Sequence, residues 1–132
     1  MKEENKIIIY QVFTRLFGND NNHCVHNGDL AANGCGKMAD FTLKALKEIK
    51  ELGATHIWYT GIIEHATQTD YRRYNIRPDH PAVVKGKAGS PYAIKDYYDV
   101  DPDLASDVSG RMKEFENLVQ RSHRSGLKVI ID

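Results

Sequence analysis

One stretch in the middle of the chain decides the fold class: Leu52-Gly53-Ala54-Thr55-His56-Ile57-Trp58-Tyr59-Thr60. Its second half is rich in β-branched and aromatic residues, which predicts a buried strand. The residues before it follow a helical spacing, and Asp40 is positioned to cap that helix. The apolar face of the predicted helix consists of Leu43, Leu46, Ile49 and Leu52. Gly53 suits the left-handed residue that ends a helix, so a tight turn joins this helix to the strand.

The same pattern recurs on both sides of this stretch. Upstream, residues 7–13 form a β-branched and aromatic run that predicts a first strand. Downstream, a second amphipathic helix ends at Gly126, and residues 127–131 predict a third strand. The apolar residues of the second helix are Met112, Phe115, Leu118 and Val119. Strands that alternate with helices indicate an α/β fold, with three parallel strands in sequential order and both helices on one side.

The loops are long only where they follow a strand. Residues 14–39 follow the first strand, and residues 61–106 follow the second and are expected to be irregular. The carboxyl ends of parallel strands are the ligand-binding face of both open α/β sheets and closed barrels, so a site is predicted there. Residues 85–90 contain glycines and lysines but lack the spacing of a phosphate-binding loop, which argues against a nucleotide ligand.

Composition excludes several classes of partner. The chain has 18 basic and 18 acidic residues, which gives no electrostatic footprint for nucleic acid or an anionic membrane. No apolar run approaches the roughly 20 residues of a membrane helix. The charged start, Met1 to Lys6, does not have the pattern of a secretory signal, so a cytoplasmic location is expected. Cys24 and Cys35 are then expected to be free thiols.

Four segments in the predicted strands and loops resemble motifs of the α-amylase superfamily, glycoside hydrolase family thirteen. They are residues 9–17 (IYQVFTRLF), 52–60 (LGATHIWYT), 92–104 (YAIKDYYDVDPDL) and 123–132 (HRSGLKVIID). The resemblance implies a (β/α)₈ TIM barrel, of which this chain is the N-terminal portion. Residues 1–132 are then a partial catalytic domain that stops after the third strand.

The family resemblance also implies an activity. Its members cleave α-glucosidic bonds with retention, which needs two closely spaced carboxyl groups. In the family these groups stand on strands four and five, so we expect no catalytic residue within this chain and no activity from it alone. The expected substrate of a full-length enzyme is starch or another α-glucan, including malto-oligosaccharides. An α-glucan transglycosylase and a non-catalytic carbohydrate-binding or scaffold module are the alternatives.

Two residues are the predicted substrate-binding residues. Tyr92 resembles the family tyrosine that stacks on the sugar that is cleaved, and a flat aromatic ring suits the apolar face of a pyranose. Asp132 resembles the leading aspartate of a D-x-x-x-N-H motif, at a strand end that points into the site. Ser90 replaces the histidine of many amylases. Gly89 replaces the aspartate with which many exo-acting α-glucosidases fix a terminal glucose, which favours longer α-glucans.

Other conspicuous residues are interpreted as structural. Asp96 is expected to form a buried hydrogen bond. Trp58, Tyr97 and Tyr98 are interpreted as packing residues rather than sugar platforms, and Trp58, which lies within a strand, is expected in the core. Residues 19–29 are rich in oxygen ligands, and several family members hold Ca²⁺ in this loop, so calcium and ordinary turns are both open. The run His23-Cys24-Val25-His26 does not have the spacing of a standard zinc site.

Overall fold

The computed structural model describes residues 6–132. Its strands are β1 Ile9–Phe13, β2 His56–Thr60, β3 Ile63–His65, β4 Ile94–Val100 and β5 Lys128–Ile131, and its helices are α1 Leu30–Asn33, α2 Leu43–Glu51 and α3 Arg111–Arg124. Residues 1–5, which hold most of the charged start considered above, lie outside the described residues. In the described part of the chain, no helix is both long enough and apolar enough to span a bilayer.

The main sheet has three parallel strands in the order β1-β2-β5. Strand β5 is the third strand predicted from the sequence, so the predicted parallel, sequential order is confirmed. The pairing aligns Gln11 with Trp58, and Trp58 with Ile130, across the sheet. Helices α2 and α3 contact each other, and α3 packs on β5, which places both helices on one side as predicted.

The core lies between the sheet and the two helices. Ile57 and Tyr59 of β2 are fully buried there with Leu46 of α2 and Leu118 of α3. The Tyr59 hydroxyl shares a 2.6 Å hydrogen bond with Ser122 Oγ, and burial raises the pKa of Tyr59 to about 12. Because side chains alternate along a strand, Ile57 and Tyr59 lie on the same face of β2. That face is buried by apolar packing, and the Tyr59 hydroxyl on it has its hydrogen-bond partner in Ser122.

Trp58 was predicted to be in the core, and this is wrong. It lies between two buried residues of β2 and therefore points to the opposite face of the sheet, where it is only half-buried. Its indole Nε1 has no hydrogen-bond partner among the described residues. Trp58 shares this face with Gln11 and Ile130, its neighbours in the sheet register.

The predicted start of helix α2 also needs correction. Its N-cap is Thr42, whose hydroxyl accepts a hydrogen bond from the Ala45 amide, and not Asp40. Asp40 instead accepts a 2.7 Å hydrogen bond from the Lys37 amide within a preceding 3₁₀ turn. Leu43 and Leu52 are 47% and 74% exposed, because one lies in the first turn and the other just beyond the last helical residue. The buried face of α2 is therefore narrower than its sequence spacing predicts.

The second long loop is not irregular throughout, contrary to expectation. Strands β3 and β4 pair within it as an antiparallel ribbon, with Ile63 opposite Val100 and His65 opposite Ile94. Neither strand shows the apolar pattern of a buried strand, since β3 buries a glutamate and a histidine, and β4 has three charged residues among its seven. The ribbon is held by specific polar contacts that hydrophobic periodicity does not reveal.

Candidate functional site

The carboxyl ends of the three parallel strands define one edge of the sheet. Strand β1 ends at Phe13, level with Thr60 at the end of β2, and Tyr59 is level with Ile131 at the end of β5. The next residue of each chain segment therefore lies on the same edge. Both long loops leave from it, so it is the place to look for a ligand site.

Tyr92 belongs to a segment that passes the tips of β1 and β2. The preceding residue, Pro91, packs against Gly61, which directly follows β2: a Cβ added to Gly61 would lie 3.1 Å from the Pro91 side chain and 3.9 Å from the Phe13 ring. A tight turn shapes this segment, because Ser90 O accepts a hydrogen bond from the Ala93 amide. The Tyr92 side chain is 67% exposed, so its ring is accessible to a ligand.

Asp132 follows β5 directly and is exposed. By strand alternation it shares the face of Ile130 and Trp58, away from the helices. The structure therefore brings both predicted site residues to the carboxyl edge, Tyr92 on the side of β1 and β2 and Asp132 on β5. Their roles in sugar binding stay predictions.

The turn that presents Tyr92 is anchored at Gly89. This residue has φ +83°, and an added Cβ would lie 1.8 Å from the carbonyl oxygen of Ala66. Arg15 Nη1 donates a 2.9 Å hydrogen bond to Gly89 O, and the Arg15 guanidinium lies 4.9 Å from the centre of the Phe13 ring. Arg15 of the first loop thus anchors the second loop at Gly89. Because no side chain fits at Gly89, this backbone has no room for a carboxylate there.

A buried polar network lies beneath this turn. His65 Nε2 lies 3.2 Å from Asp101 Oδ2, and both side chains are 1% exposed. Asp103 accepts hydrogen bonds from Tyr71 (2.5 Å) and from Thr67 (3.3 Å). Burial and the nearby charge of Asp101 raise the pKa of Asp103, although these hydrogen bonds oppose the shift. The network joins β3 to the chain that follows β4, so it fixes the ribbon.

A second group of charges lies along the ribbon. Burial raises the pKa of Glu64 to about 7, and the charge of Asp99 adds to this shift. Lys95 Nζ lies 3.1 Å from Asp79 Oδ1 and 3.9 Å from Glu64 Oε1. Asp99 makes a two-pronged ion pair with Arg111 at the start of α3, with distances of 2.8 and 2.7 Å. These contacts tie the ribbon to the helix layer.

Three structural interpretations from the sequence are wrong. Asp96 is exposed, and within residues 6–132 its carboxylate accepts a hydrogen bond only from the Tyr98 amide, at 2.8 Å, so it is not a buried structural carboxylate. Tyr97 and Tyr98 do not pack in the interior, since they are 75% and 93% exposed. The buried carboxyl groups of the second loop are Glu64, Asp101 and Asp103, which the sequence analysis did not single out. Two of them, Asp101 and Asp103, lie close to Asp96 in the sequence. The sequence feature that could have indicated them is Asp-Pro-Asp at residues 101–103. This pattern suits the start of a 3₁₀ helix, in which Asp101 is the N-cap.

A cleft of about 1010 Å³ separates the first loop from the second. The wall formed by the first loop includes part of residues 19–29, which are rich in oxygen ligands. Several of these side chains already form hydrogen bonds within the loop. Asn19 and Asn21 donate hydrogen bonds to Asn33 O and Ala32 O, and Asp29 accepts one from the Ala32 amide at the start of α1. Within residues 6–132 no three His, Cys, Asp or Glu side chains converge as metal ligands.

The thiols line the same cleft. Cys24 is exposed, Cys35 is partly buried, and neither is in a disulfide. Burial raises the pKa of Cys35 to about 12, with the charges of Asp101 and Asp103 adding to the effect. Cys35 is therefore a protonated, unreactive thiol near neutral pH.

The family model for the catalytic domain of α-amylases matches residues 11–132. The chain belongs to the α-amylase catalytic-domain family. Its sheet matches the N-terminal part of the TIM barrel of these enzymes, as the sequence predicted.

Two solved structures and one curated relative show how far the likeness extends. Trehalose-6-phosphate hydrolase of Bacillus licheniformis is 26% identical with a TM-score of 0.58, over 97% of this chain and 17% of that one. A noncanonic maltogenic α-amylase of Thermotoga neapolitana has the same identity and TM-score, over 100% of this chain and 23% of that one. The amino acid transporter heavy chain SLC3A1 of Rattus norvegicus is 49% identical over 41 residues, which are 31% of this chain and 5% of that protein. The α-amylase-family chain thus spans less than a quarter of the length of each.

Proposed function

We propose that this chain forms the substrate-facing N-terminal part of a retaining glycoside hydrolase that acts on α-glucans such as starch or malto-oligosaccharides. The observation that supports this most directly is the exposed ring of Tyr92, which directly follows Pro91 at the strand tips. The turn that carries it is fixed by Gly89 and Arg15. A rigid aromatic ring at the ligand face provides a stacking platform for a pyranose at little cost in conformational entropy.

Gly89 favours longer glucans over strict exo-action. An aspartate at this position would have to place its Cβ within 1.8 Å of Ala66 O, so this backbone has no room for the carboxylate that would close the site around a terminal glucose. Asp132 is proposed to orient neighbouring groups at the tip of β5 and to contact substrate there. The two catalytic carboxylates are proposed to come from later strands, so the 132-residue chain alone would bind but not cleave.

A non-catalytic carbohydrate-binding or scaffold role is the second candidate. It is favoured by the 41-residue match to a protein named as a transporter heavy chain rather than as a hydrolase. An α-glucan transglycosylase would use the same binding residues, and sugar-product analysis of an active protein that contains this chain would separate transfer from hydrolysis.

The test is calorimetric titration of the chain with maltoheptaose and with maltose. Tyr92→Ala should weaken maltoheptaose binding about tenfold, which corresponds to ~1.4 kcal/mol, while Tyr92→Phe should retain most of it because the ring is kept. The free energy of unfolding should stay within about 0.5 kcal/mol of the parent, since the side chain is exposed. Equal affinity of the parent and Tyr92→Ala for maltoheptaose would show that Tyr92 does not contribute to the binding site.

A further inference from the structure

The first loop contains two asparagine–glycine pairs, Asn27-Gly28 and Asn33-Gly34. In each pair the glycine amide donates a backbone hydrogen bond, at 2.9 Å to Val25 O in the first pair and at 2.8 Å to Leu30 O in the second. The two pairs are therefore matched in sequence and in the state of the glycine amide. They differ in what the asparagine side chain contacts.

The side chain of Asn33 is held at both of its polar atoms. Its Oδ1 accepts a 2.9 Å hydrogen bond from the Val25 amide, and its Nδ2 donates a 3.0 Å hydrogen bond to Val25 O. Asn33 is also the last residue of α1. To turn its side-chain carbon toward the backbone nitrogen of Gly34, Asn33 would have to give up both hydrogen bonds.

The side chain of Asn27 has no such contacts. Asn27 is exposed, and within residues 6–132 its side chain forms no hydrogen bond. It is the third residue of the turn from Val25 to Gly28 and has φ +54°. A positive φ at this position of a turn favours glycine or asparagine, which accounts for the residue type. The amide group of Asn27 can therefore rotate without losing a contact.

The glycine that follows Asn27 allows a reaction between neighbouring groups. Gly28 has no Cβ, so its backbone nitrogen can approach Cγ of Asn27 with little steric hindrance. A bond between these two atoms closes a five-membered ring. Because both atoms belong to the same short segment, the attack is intramolecular and is favoured over attack by a group from solution.

We propose that Asn27 is a site of spontaneous deamidation and that Asn33 is protected from it. The Gly28 nitrogen loses its proton to hydroxide and forms a bond to Cγ of Asn27. The Cγ–Nδ2 bond breaks, and its nitrogen takes up a proton and leaves as ammonia, so the ring is a succinimide. Water then opens the ring, at the main-chain carbonyl carbon to give isoaspartate or at Cγ to give aspartate. In sum, one side-chain amide and one water yield one carboxyl group and one ammonia.

The modification would change the junction between the two long loops. Asn27 Oδ1 lies near Gly86 of the second loop, since a Cβ added to Gly86 would be 3.6 Å from it. The neighbours of Gly86 in the chain are the exposed lysines Lys85 and Lys87, and Lys87 lines the cleft between the loops. Deamidation therefore places a negative charge next to a basic segment at the rim of this cleft.

Isoaspartate has a further effect, because it inserts a methylene group into the backbone of the turn. We expect this insertion to separate the Gly28 amide from Val25 O, whereas aspartate tolerates the same left-handed backbone and keeps the turn. Both products arise from the chain's own atoms and water. The inference is thus independent of the proposed function and of any ligand.

The test incubates the 132-residue chain at mildly alkaline pH, both folded in buffer and unfolded in guanidinium chloride. Isoaspartate is counted by methyl transfer from S-adenosylmethionine with an isoaspartyl methyltransferase. One tryptic peptide, residues 16–37, contains both asparagines, and its fragment masses assign the site because NH is exchanged for O. We expect similar rates at the two positions in the unfolded chain. In the folded chain Asn27 should react about tenfold faster than Asn33, since two hydrogen bonds protect Asn33.

Asn27→Gly is the matched variant. Glycine adopts the positive φ without strain and has no side-chain amide to lose, so the turn should be kept and isoaspartate at this position should disappear. Asn27→Gln keeps an amide but would need a six-membered ring, and it should react far more slowly than the parent.

Three outcomes would overturn the inference. Equal rates at Asn27 and Asn33 in the folded chain would show that the side-chain hydrogen bonds do not protect. Aspartate without isoaspartate at position 27 would exclude the succinimide. Reaction of both pairs in guanidinium chloride but of neither in buffer would show that the hydrogen bond from Gly28 to Val25 O is enough to block the site.

Discussion

Gly89→Ala tests how the turn before Tyr92 is held in place. Gly89 has φ +83°, and the added methyl would lie 1.8 Å from Ala66 O and 3.0 Å from Ala66 C. Both of these atoms belong to the backbone and cannot rotate aside as a side chain can. We therefore expect the ribbon and the turn to be forced apart.

The same loop provides a matched control at Gly86. This residue also has a positive φ of +63°, but an added Cβ would only reach Asn27 Oδ1 at 3.6 Å, an ordinary contact. Gly86→Ala should cost about 1–2 kcal/mol for the left-handed backbone alone. Gly89→Ala should cost the same plus about 1–3 kcal/mol of overpacking, or about 2–5 kcal/mol in all. The difference between the two variants isolates the contact with Ala66.

Urea unfolding followed by far-UV circular dichroism measures both variants against the parent. Maltoheptaose titration provides a second measurement, because displacement of the turn should weaken binding in Gly89→Ala and leave it unchanged in Gly86→Ala. Free energies of unfolding that agree within about 0.5 kcal/mol for the two variants would refute the contact as the reason for glycine at position 89.

Two further predictions concern the buried charges of the ribbon. Burial alone would lower the pKa of His65, but the hydrogen bond and charge of Asp101 outweigh this effect and raise it in the folded state. The pair therefore contributes its full stability below pH 6.5, and this contribution is lost as the pH rises through the raised pKa. Asp101→Asn should remove this pH dependence and cost about 3–5 kcal/mol, measured by urea unfolding from pH 5 to 8, and an unchanged pH slope would contradict the pairing. The pKa of Glu64 is raised from 4.5 to about 7, so its contribution is full below pH 4.5 and is lost as pH rises through about 7. Glu64→Gln should flatten the stability profile across that window and be more stable than the parent at pH 8; a parent profile already flat from pH 4.5 to 8 would exclude this titration.

The parallel scaffold could be predicted from the sequence because its information is local. The apolar runs of β1, β2 and β5 and the helical spacing around Leu46 and Leu118 are each visible within about ten residues. Tight turns after the helices and long loops after the strands then placed the ligand face at the carboxyl edge. Tyr92 and Asp132 lie at that edge, which motif resemblance and strand order together indicated.

The antiparallel ribbon could not be predicted in the same way because its information is non-local. Glu64 and His65 look like surface residues in sequence, yet they are buried against partners that lie about 31–36 residues further along the chain, such as Lys95 and Asp101. A hydrophobic pattern cannot signal a strand whose buried side chains are charged and paired. For the same reason the exposure of Tyr97 was not foreseen, since the register between β3 and β4 shifts beside it, and a bulge is defined by the register of two strands and not by one strand alone.

The buried charges of the second loop also explain how the turn before Tyr92 can be ordered on a loop 46 residues long. A loop of this length would ordinarily be mobile or variable in structure. Here the His65–Asp101 pair joins β3 to the chain beyond β4, and Arg15 fixes the carbonyl of Gly89 from the first loop. Removing any of these contacts leaves a buried polar group without its partner, so partial opening of the loop costs free energy at several points together. The Ala66 amide donates a 3.0 Å hydrogen bond to Ala93 O, and the Ala93 amide donates a 3.1 Å hydrogen bond to Ser90 O. We therefore expect amide exchange at both residues to be as slow as in β2. Rapid exchange at both positions would mean that Tyr92 is presented by a mobile loop, and that the order of the turn arises only when ligand binds.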